Sequence, residues 1–91
     1  MFKVVGFYKF AKIKSLKKNK DFLQKFLFLN HIRGTIIIAK EGLNGTISGG
    51  VKDVDKTIKK LKSLFSFKQF DSNNESKSKF QPFHKPKVKI K

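Results

Sequence analysis

The stretch KEGLNGTISGG, Lys40 to Gly50, gathers a cation, a carboxylate, an amide and four of the chain's six glycines within eleven residues. Glycine lets a backbone approach a ligand closely, so successive N–H groups near Gly42, Leu43, Asn44 and Gly45 can form a concave anion nest with Lys40 beside it. The same residues admit a plainer reading, because Asn-Gly is the commonest signal for a two-residue hairpin turn. Neither a Walker loop nor a dinucleotide fingerprint is present: the glycine spacing is wrong and no helix opens directly after Gly42 and Gly45. Glu41 lacks a partner carboxylate, so it reads as a structural or charge-balancing group rather than a general base. His31 falls at the end of a helical pattern, and His84 lies between Pro82 and Pro86 in an extended segment. Neither has a Cys, Asp or Glu at metal-ligand spacing, and no metal site is expected. With no cysteine in the chain, thiolate nucleophiles, thiolate metal sites and disulfides are excluded for this polypeptide. No catalytic set emerges, so binding is the chemistry to look for.

Charge points to the ligand class. Lys and Arg number 22 against 6 Asp and Glu, a net +16, which attracts phosphate-rich partners or anionic surfaces. Arg33 is the only arginine, which excludes base reading by several bidentate guanidinium groups. Lysines act instead as point charges along a phosphate backbone, which implies salt-sensitive binding with little sequence preference. A merely solvated basic surface, produced by A/T-rich coding, is the alternative. The longest apolar runs, FLFL and IIIA, are too short to span a bilayer and the N-terminus lacks a secretion signal, so a cytoplasmic location without membrane contact is expected.

Ninety-one residues make one small domain, and 11 Phe within 38% apolar content suffice for a packed core. KVVGFYKF, Lys3 to Phe10, is rich in β-branched and aromatic residues and reads as a first strand. Leu16, Phe22, Leu23, Phe26, Leu27 and Leu29 follow at helical spacings, with Ser15 or Asn19 as N-cap and an end near Asn30. RGTIIIAK reads as a central strand covered on both faces, and NGTISG as a shorter third strand. In KDVDKTIKKLKSLF, Val54, Ile58, Leu61 and Phe65 form one stripe, with Asp53 and Asp55 at the start and lysines towards the end, as a helix dipole favours. FKQFD, Phe67 to Asp71, reads as a fourth strand. SNNESKSK then loses every apolar residue and reads as an exposed, mobile loop, before Val88 and Ile90 alternate with lysines in an edge-strand pattern.

The order βαββαβ plus one strand predicts an α+β ferredoxin-like sandwich over residues 1–75, a four-stranded antiparallel sheet with both helices on one face. Residues 76–91 are assigned to the loop and the extra C-terminal strand. In this topology the middle strands form a hairpin, which puts EGLNG at its tip or just inside the third strand. Alternation divides the first strand into Lys3, Val5, Phe7 and Lys9 on one face and Val4, Gly6, Tyr8 and Phe10 on the other. Whichever set faces away from the helices offers aromatics between lysines, as in platforms for single-stranded RNA, or packs on a neighbouring domain. Phe7, Tyr8 and Lys9, with Phe83, His84 and Lys87, are the candidate sheet-face or interdomain contacts.

FYKF, RGTIIIAKEGLNGTISG and QPFHKPKVKIK together resemble the N-terminal domain of the rhodanese-domain tRNA uridine hydroxylases, over essentially the whole chain. Gly34, Thr35, Glu41, Gly42, Leu43, Asn44, Gly45, Thr46 and Gly49 fit that family's hairpin signature. The resemblance implies oxygen-dependent conversion of wobble uridine 34 to 5-hydroxyuridine, with molecular oxygen consumed by the full-length enzyme and no cofactor held by this chain. It also implies a following rhodanese domain that carries the essential cysteine, with this domain engaging tRNA or completing the active site. Arg33, Lys40, Glu41, Gly42, Asn44, Gly45 and Thr46 are then the candidate RNA or phosphate contacts. Two alternatives remain. One is a stand-alone RNA-binding or ribosome-associated module. The other is an acylphosphatase-like hydrolase, with which the residues disagree: Lys12 and Lys14, not a glycine-rich loop ending in arginine, separate the first strand from the first helix.

Overall fold

Val5 and Phe7 are buried and alternate with the less buried Val4, Gly6 and Tyr8 along β1, Phe2–Phe10, and that period of two sets the layering of the whole molecule. In the computed structural model, which describes residues 1–91, β1 is followed by α1 (Leu16–Leu29), β2 (Arg33–Ala39), β3 (Gly42–Gly50), α2 (Val51–Leu64), β4 (Ser72–Ser78) and β5 (Pro86–Ile90). The sheet order is β4-β1-β3-β2-β5, with β5 parallel to β2 and every other pair antiparallel. Both helices cover one face, α1 over β5 and β2, α2 over β3 and β1. Beneath them Val5, Phe7, Ile36, Ile38, Leu43, Ile47 and Val88 meet Leu23, Leu27, Val54 and Leu61 in one core. The ferredoxin-like α+β expectation holds, with the sheet five strands wide rather than four. Neither helix is long and apolar enough to cross a membrane.

Both helices end in the same way. His31 (φ 58°) and Ser66 (φ 57°) adopt the left-handed conformation, and the amides of Ile32 and Phe67 donate to the carbonyls of Leu27 and Lys62 at 2.9 and 3.0 Å. This is the Schellman arrangement, which satisfies carbonyls that the last helical turn leaves free. His31 is therefore a helix-terminating residue. At the start of α1, Ser15 occupies the cap position in a left-handed conformation but makes no side-chain cap bond; Asn19, inside the helix, donates its amide to the Lys14 carbonyl at 2.7 Å instead.

The fourth strand lies elsewhere than its sequence pattern suggests. Phe67 to Asp71 is irregular, and Phe70 packs on Phe7 at 4.9 Å and on Phe67 at 5.1 Å, so FKQF is a plug at the edge of the core. SNNESKS, expected as a mobile loop, is β4, paired antiparallel to β1 from Ser72 to Ser78. It shows no apolar alternation because helix cover does not reach this edge of the sheet, so its side chains on both faces are largely exposed and its ladder with β1 supplies the order. A boundary at residue 75 would therefore cut through β4. At the opposite edge, Gln24 of α1 closes β5: its amide donates to the Pro86 carbonyl at 2.9 Å and its oxygen accepts from the Val88 amide at 2.9 Å.

Candidate nucleic-acid interface

The helices leave the other face of the sheet open, and the strand registers set its rows. One runs Ser76, Val4, Ser48, Arg33, with Ser48 fully buried beneath Gln81 and Pro82; the next Asn74, Gly6, Thr46, Thr35, Lys87; the third Ser72, Tyr8, Asn44, Ile37, Lys89. Hydroxyls and amides dominate the floor, lysines line the β5 edge, and no row contains a carboxylate. The chain's acids are placed elsewhere: Asp21 on α1, Asp53 and Asp55 on α2, Glu75 on the helix side of β4, Asp71 before β4 and Glu41 in the hairpin turn. Lys3 is bonded on the helix side to Asp55 at 2.7 Å and Glu75 at 3.4 Å. The hydrogen bond to Asp55 leads in holding its ammonium above its ordinary pKa.

Lysines also stud the exposed surface of α2, where Lys52, Lys56, Lys59 and Lys60 line a shallow depression with Asp55 and Ser63. Positive charge alone therefore does not select a face. What distinguishes the sheet face is the absence of carboxylates; like α1, which exposes Phe22 and Phe28, it carries exposed rings, here Tyr8 and Phe10 packed edge-to-face at 4.8 Å. Those rings are fixed from behind. The Asp71 amide donates to the Tyr8 carbonyl at 2.9 Å, and the Phe10 amide donates to an Asp71 carboxylate oxygen at 2.7 Å, with Lys9 Nζ 3.5 Å from the other oxygen. The Phe10 bond leads in lowering the Asp71 pKa, and Lys9 adds to it.

The hairpin of β2 and β3 turns at Lys40 and Glu41, with Ala39 paired to Gly42; Asn44-Gly45 lies inside β3 and is not the turn. The anion nest, the alternative to a turn, does not form here either. β3 is central and ladders with both β1 and β2 along residues 42–48, so its amides are engaged in the sheet. Gly45 has a packing reason: a Cβ there would collide with the Thr35 carbonyl oxygen and stand 2.9 Å from Ile36 Cα. Gly6, facing the open side, is different, since a Cβ would meet Thr46 Oγ1 at an ordinary 3.5 Å. Its bare backbone leaves a hollow lined by Tyr8, Asn44, Thr46, Ser72 and Asn74.

Among the sequence candidates, Tyr8, Asn44, Thr46, Arg33 and Lys87 come together on the open face, and Lys40 and Glu41 stand exposed at its hairpin end. Phe7 and Lys9 do not: Phe7 is buried in the core, and Lys9, on the helix side, lies over the Phe67 ring at 5.5 Å. Phe83 and His84 belong to the strap from β4 to β5, which crosses the far end of the sheet. There Ser48 Oγ donates to the Pro82 carbonyl at 2.9 Å, Gln81 bonds the Ser48 and His31 carbonyls, and Gly34 donates to the Lys85 carbonyl. Sequence reasoning missed Ser72, Asn74 and Ser76, because a polar run without apolar alternation carries no strand signal. It also missed Asp71 and Gln24, whose roles depend on contacts more than sixty residues away.

The loop from β1 to α1 holds no phosphate cradle. Its Ala11 and Ile13 amides donate to the Glu41 and Lys40 carbonyls, both at 3.1 Å, and the Ile13 side chain is buried.

Residues 2–91 match the family model described as the UPF0176 acylphosphatase-like domain. The chain is 66% identical over 91 residues to a tRNA uridine(34) hydroxylase of Pelagibacter ubique, covering all of this chain and 30% of that protein. A second relative of the same name, from Ehrlichia ruminantium, is 35% identical over 94 residues, covering 97% of this chain and 32% of its own length. The chain thus spans about a third of the length of the curated relatives it matches. Among solved structures, an acylphosphatase from Coxiella burnetii aligns with a TM-score of 0.69 at 8% identity, over 97% of this chain and 93% of that one. A BLUF protein, BlrP1, aligns at 0.73 with 10% identity, over 99% of this chain and 64% of its own. These two likenesses concern the fold alone.

Proposed function

Because this chain belongs to the UPF0176 acylphosphatase-like domain family, we propose that it is the tRNA-engaging domain of an enzyme that hydroxylates uridine 34 of tRNA. The observation that carries the reading is the open sheet face, free of carboxylates, floored by hydroxyls and amides and edged by Lys87 and Lys89. Ammonium groups on that edge track phosphates, while the floor and the two rings meet sugars and bases. The hydroxylation itself is assigned to a rhodanese domain with its cysteine, since this chain has no cysteine. Molecular oxygen is the oxidant in this proposal, and the enzyme works in the cytoplasm, where tRNA is modified.

Binding of unmodified tRNA to the 91-residue chain across a salt series tests this. The variant Lys87→Ala/Lys89→Ala is compared with Lys56→Ala/Lys59→Ala on the helical face, which removes the same charge. Affinity that falls linearly in log–log form with salt, and a slope reduced by about 0.7–0.9 per phosphate contact in the sheet-edge pair only, supports the proposal. Equal losses for the two pairs would overturn the placement, and undetectable binding at low salt would overturn tRNA engagement.

A further inference from the structure

At the hairpin end of the open face, Tyr8, Phe10, Ile37 and Asn44 enclose a hollow with Glu41 and Lys91 at its margin. We propose that this hollow is a stacking subsite for one unpaired base of a single-stranded RNA segment. The inference rests on the RNA-binding reading above and adds to it a specific place and a specific ligand element.

Three features of the chain converge here. The first is exposed aromatic surface: Tyr8 is 38% and Phe10 64% exposed, while Phe7, next to Tyr8 in sequence, is buried. Their edge-to-face packing leaves ring surface directed outwards, where an unpaired base can lie on it. The second is rigidity. Asp71 bonds the backbone at both Tyr8 and Phe10, and the Lys91 amide donates to the Ile38 carbonyl at 2.9 Å, so both sides of the hollow are fixed before any ligand arrives. A platform ordered in advance loses little entropy on binding.

The third feature is chemical complementarity along a track. The exposed Asn44 amide offers one donor edge and one acceptor edge to a base beside the rings. It also borders the neighbouring hollow over Gly6, so two adjacent recesses share Tyr8 and Asn44. Lys87 and Lys89 follow at every second residue on β5, with Lys91 next after its end, a repeat of about 6.7 Å along the strand that suits successive phosphates of an extended strand. A duplex lacks exposed base faces and has no use for the rings, so single-stranded RNA is the occupant that fits rings, amide and cations together. For a tRNA, that selects a loop.

Tyr8 is the only tyrosine and the chain has no tryptophan, so its intrinsic fluorescence reports on the two recesses it borders, and the Phe10 variants separate the proposed hollow from the one over Gly6. The 91-residue chain is titrated with a fluorescein-labelled heptauridylate, followed by anisotropy, and with unlabelled heptauridylate and inorganic polyphosphate, followed by Tyr8 emission. The expected result is quenching by heptauridylate and none by polyphosphate at equal charge. Phe10→Ser then weakens heptauridylate binding by about fivefold or more, the lower end of what one stacked base contributes, and leaves polyphosphate binding unchanged. Phe10→Leu, which keeps an apolar side chain at this position, shows the same loss. If the RNA binds by anisotropy while Tyr8 emission stays constant, or polyphosphate quenches equally, the stacking subsite is overturned and tRNA engagement stands. If no RNA binds even at low salt, both fall. A protein that covers this face and excludes heptauridylate, with no RNA binding of its own to the chain, has the same meaning.

Discussion

Replacing Gly45 by alanine places a methyl group where β2 already runs, whereas the same change at Gly6 points a methyl into solvent-facing space. At Gly45 the added Cβ collides with the Thr35 carbonyl oxygen and stands 2.9 Å from Ile36 Cα and 3.2 Å from the Thr35 carbonyl carbon. All three are backbone atoms, so no side-chain rotation relieves the overlap and the two strands must part locally. Parting them loses two ladder hydrogen bonds at about 0.5–1.5 kcal/mol each and adds about 1 kcal/mol of backbone strain, about 2–4 kcal/mol in all. At Gly6 the nearest atom is Thr46 Oγ1 at 3.5 Å, so the methyl is accommodated, and restricting the unfolded chain raises stability by about 0.4–1 kcal/mol. Urea unfolding followed by circular dichroism measures both. With a slope of about 1.5 kcal/mol per M, Gly45→Ala lowers the midpoint by about 1.5–2.5 M, and Gly6→Ala leaves it unchanged or raises it. A wild-type midpoint for Gly45→Ala, or an equal fall for Gly6→Ala, would refute the steric reasoning.

Asp71 gives the fold an acid limb. Its folded pKa lies below the ordinary 3.8, so its contribution is complete above that value and is lost as pH falls through the lowered one. Asp71→Asn is therefore less stable than wild type at pH 7, and the difference closes as pH falls below the ordinary carboxylate value through the lowered one; a difference that does not vary with pH would contradict the Phe10 and Lys9 contacts as its source. At the other edge, Gln24→Leu leaves the Val88 amide and Pro86 carbonyl without their partner and costs about 1–3 kcal/mol, with the fastest amide exchange appearing in β5. If exchange in β5 matches wild type, the Gln24 clamp is not what holds that strand.

Much of the fold was legible because the signals were local. Val5 and Phe7 repeat with a period of two, and Leu23, Leu27, Val54, Ile58 and Leu61 repeat at helical spacing, whereas the IIIA run read as covered on both faces has Ile36 and Ile38 in the core and Ile37 on the open side, because the helices cover only one face of the sheet. Those patterns depend only on which face of an element is buried, and the burial of one face is what a sequence records best. The strand at Ser72–Ser78 was not legible, because an edge strand with both faces wet has no apolar face to record. FKQF was misleading for the complementary reason: its phenylalanines are buried as a plug against Phe7, with no ladder behind them. Asn44-Gly45 carries the composition of a turn but sits in the central strand, where glycine answers the close approach of β2 rather than a need for reversal.

By itself the sequence determined the element order, the core stripes, the excess of lysine and the absence of any thiol chemistry, since each of these follows from residue type and short-range spacing. The tertiary structure decided which half of β1 faces outwards, and with it that Tyr8 and Phe10, not Phe7 and Lys9, stand on the open face. It also decided that the carboxylates gather on the helix side and at the sheet's ends while the open face keeps none. Both follow from strand pairing between residues far apart in the chain, and no local pattern encodes which strands will be neighbours.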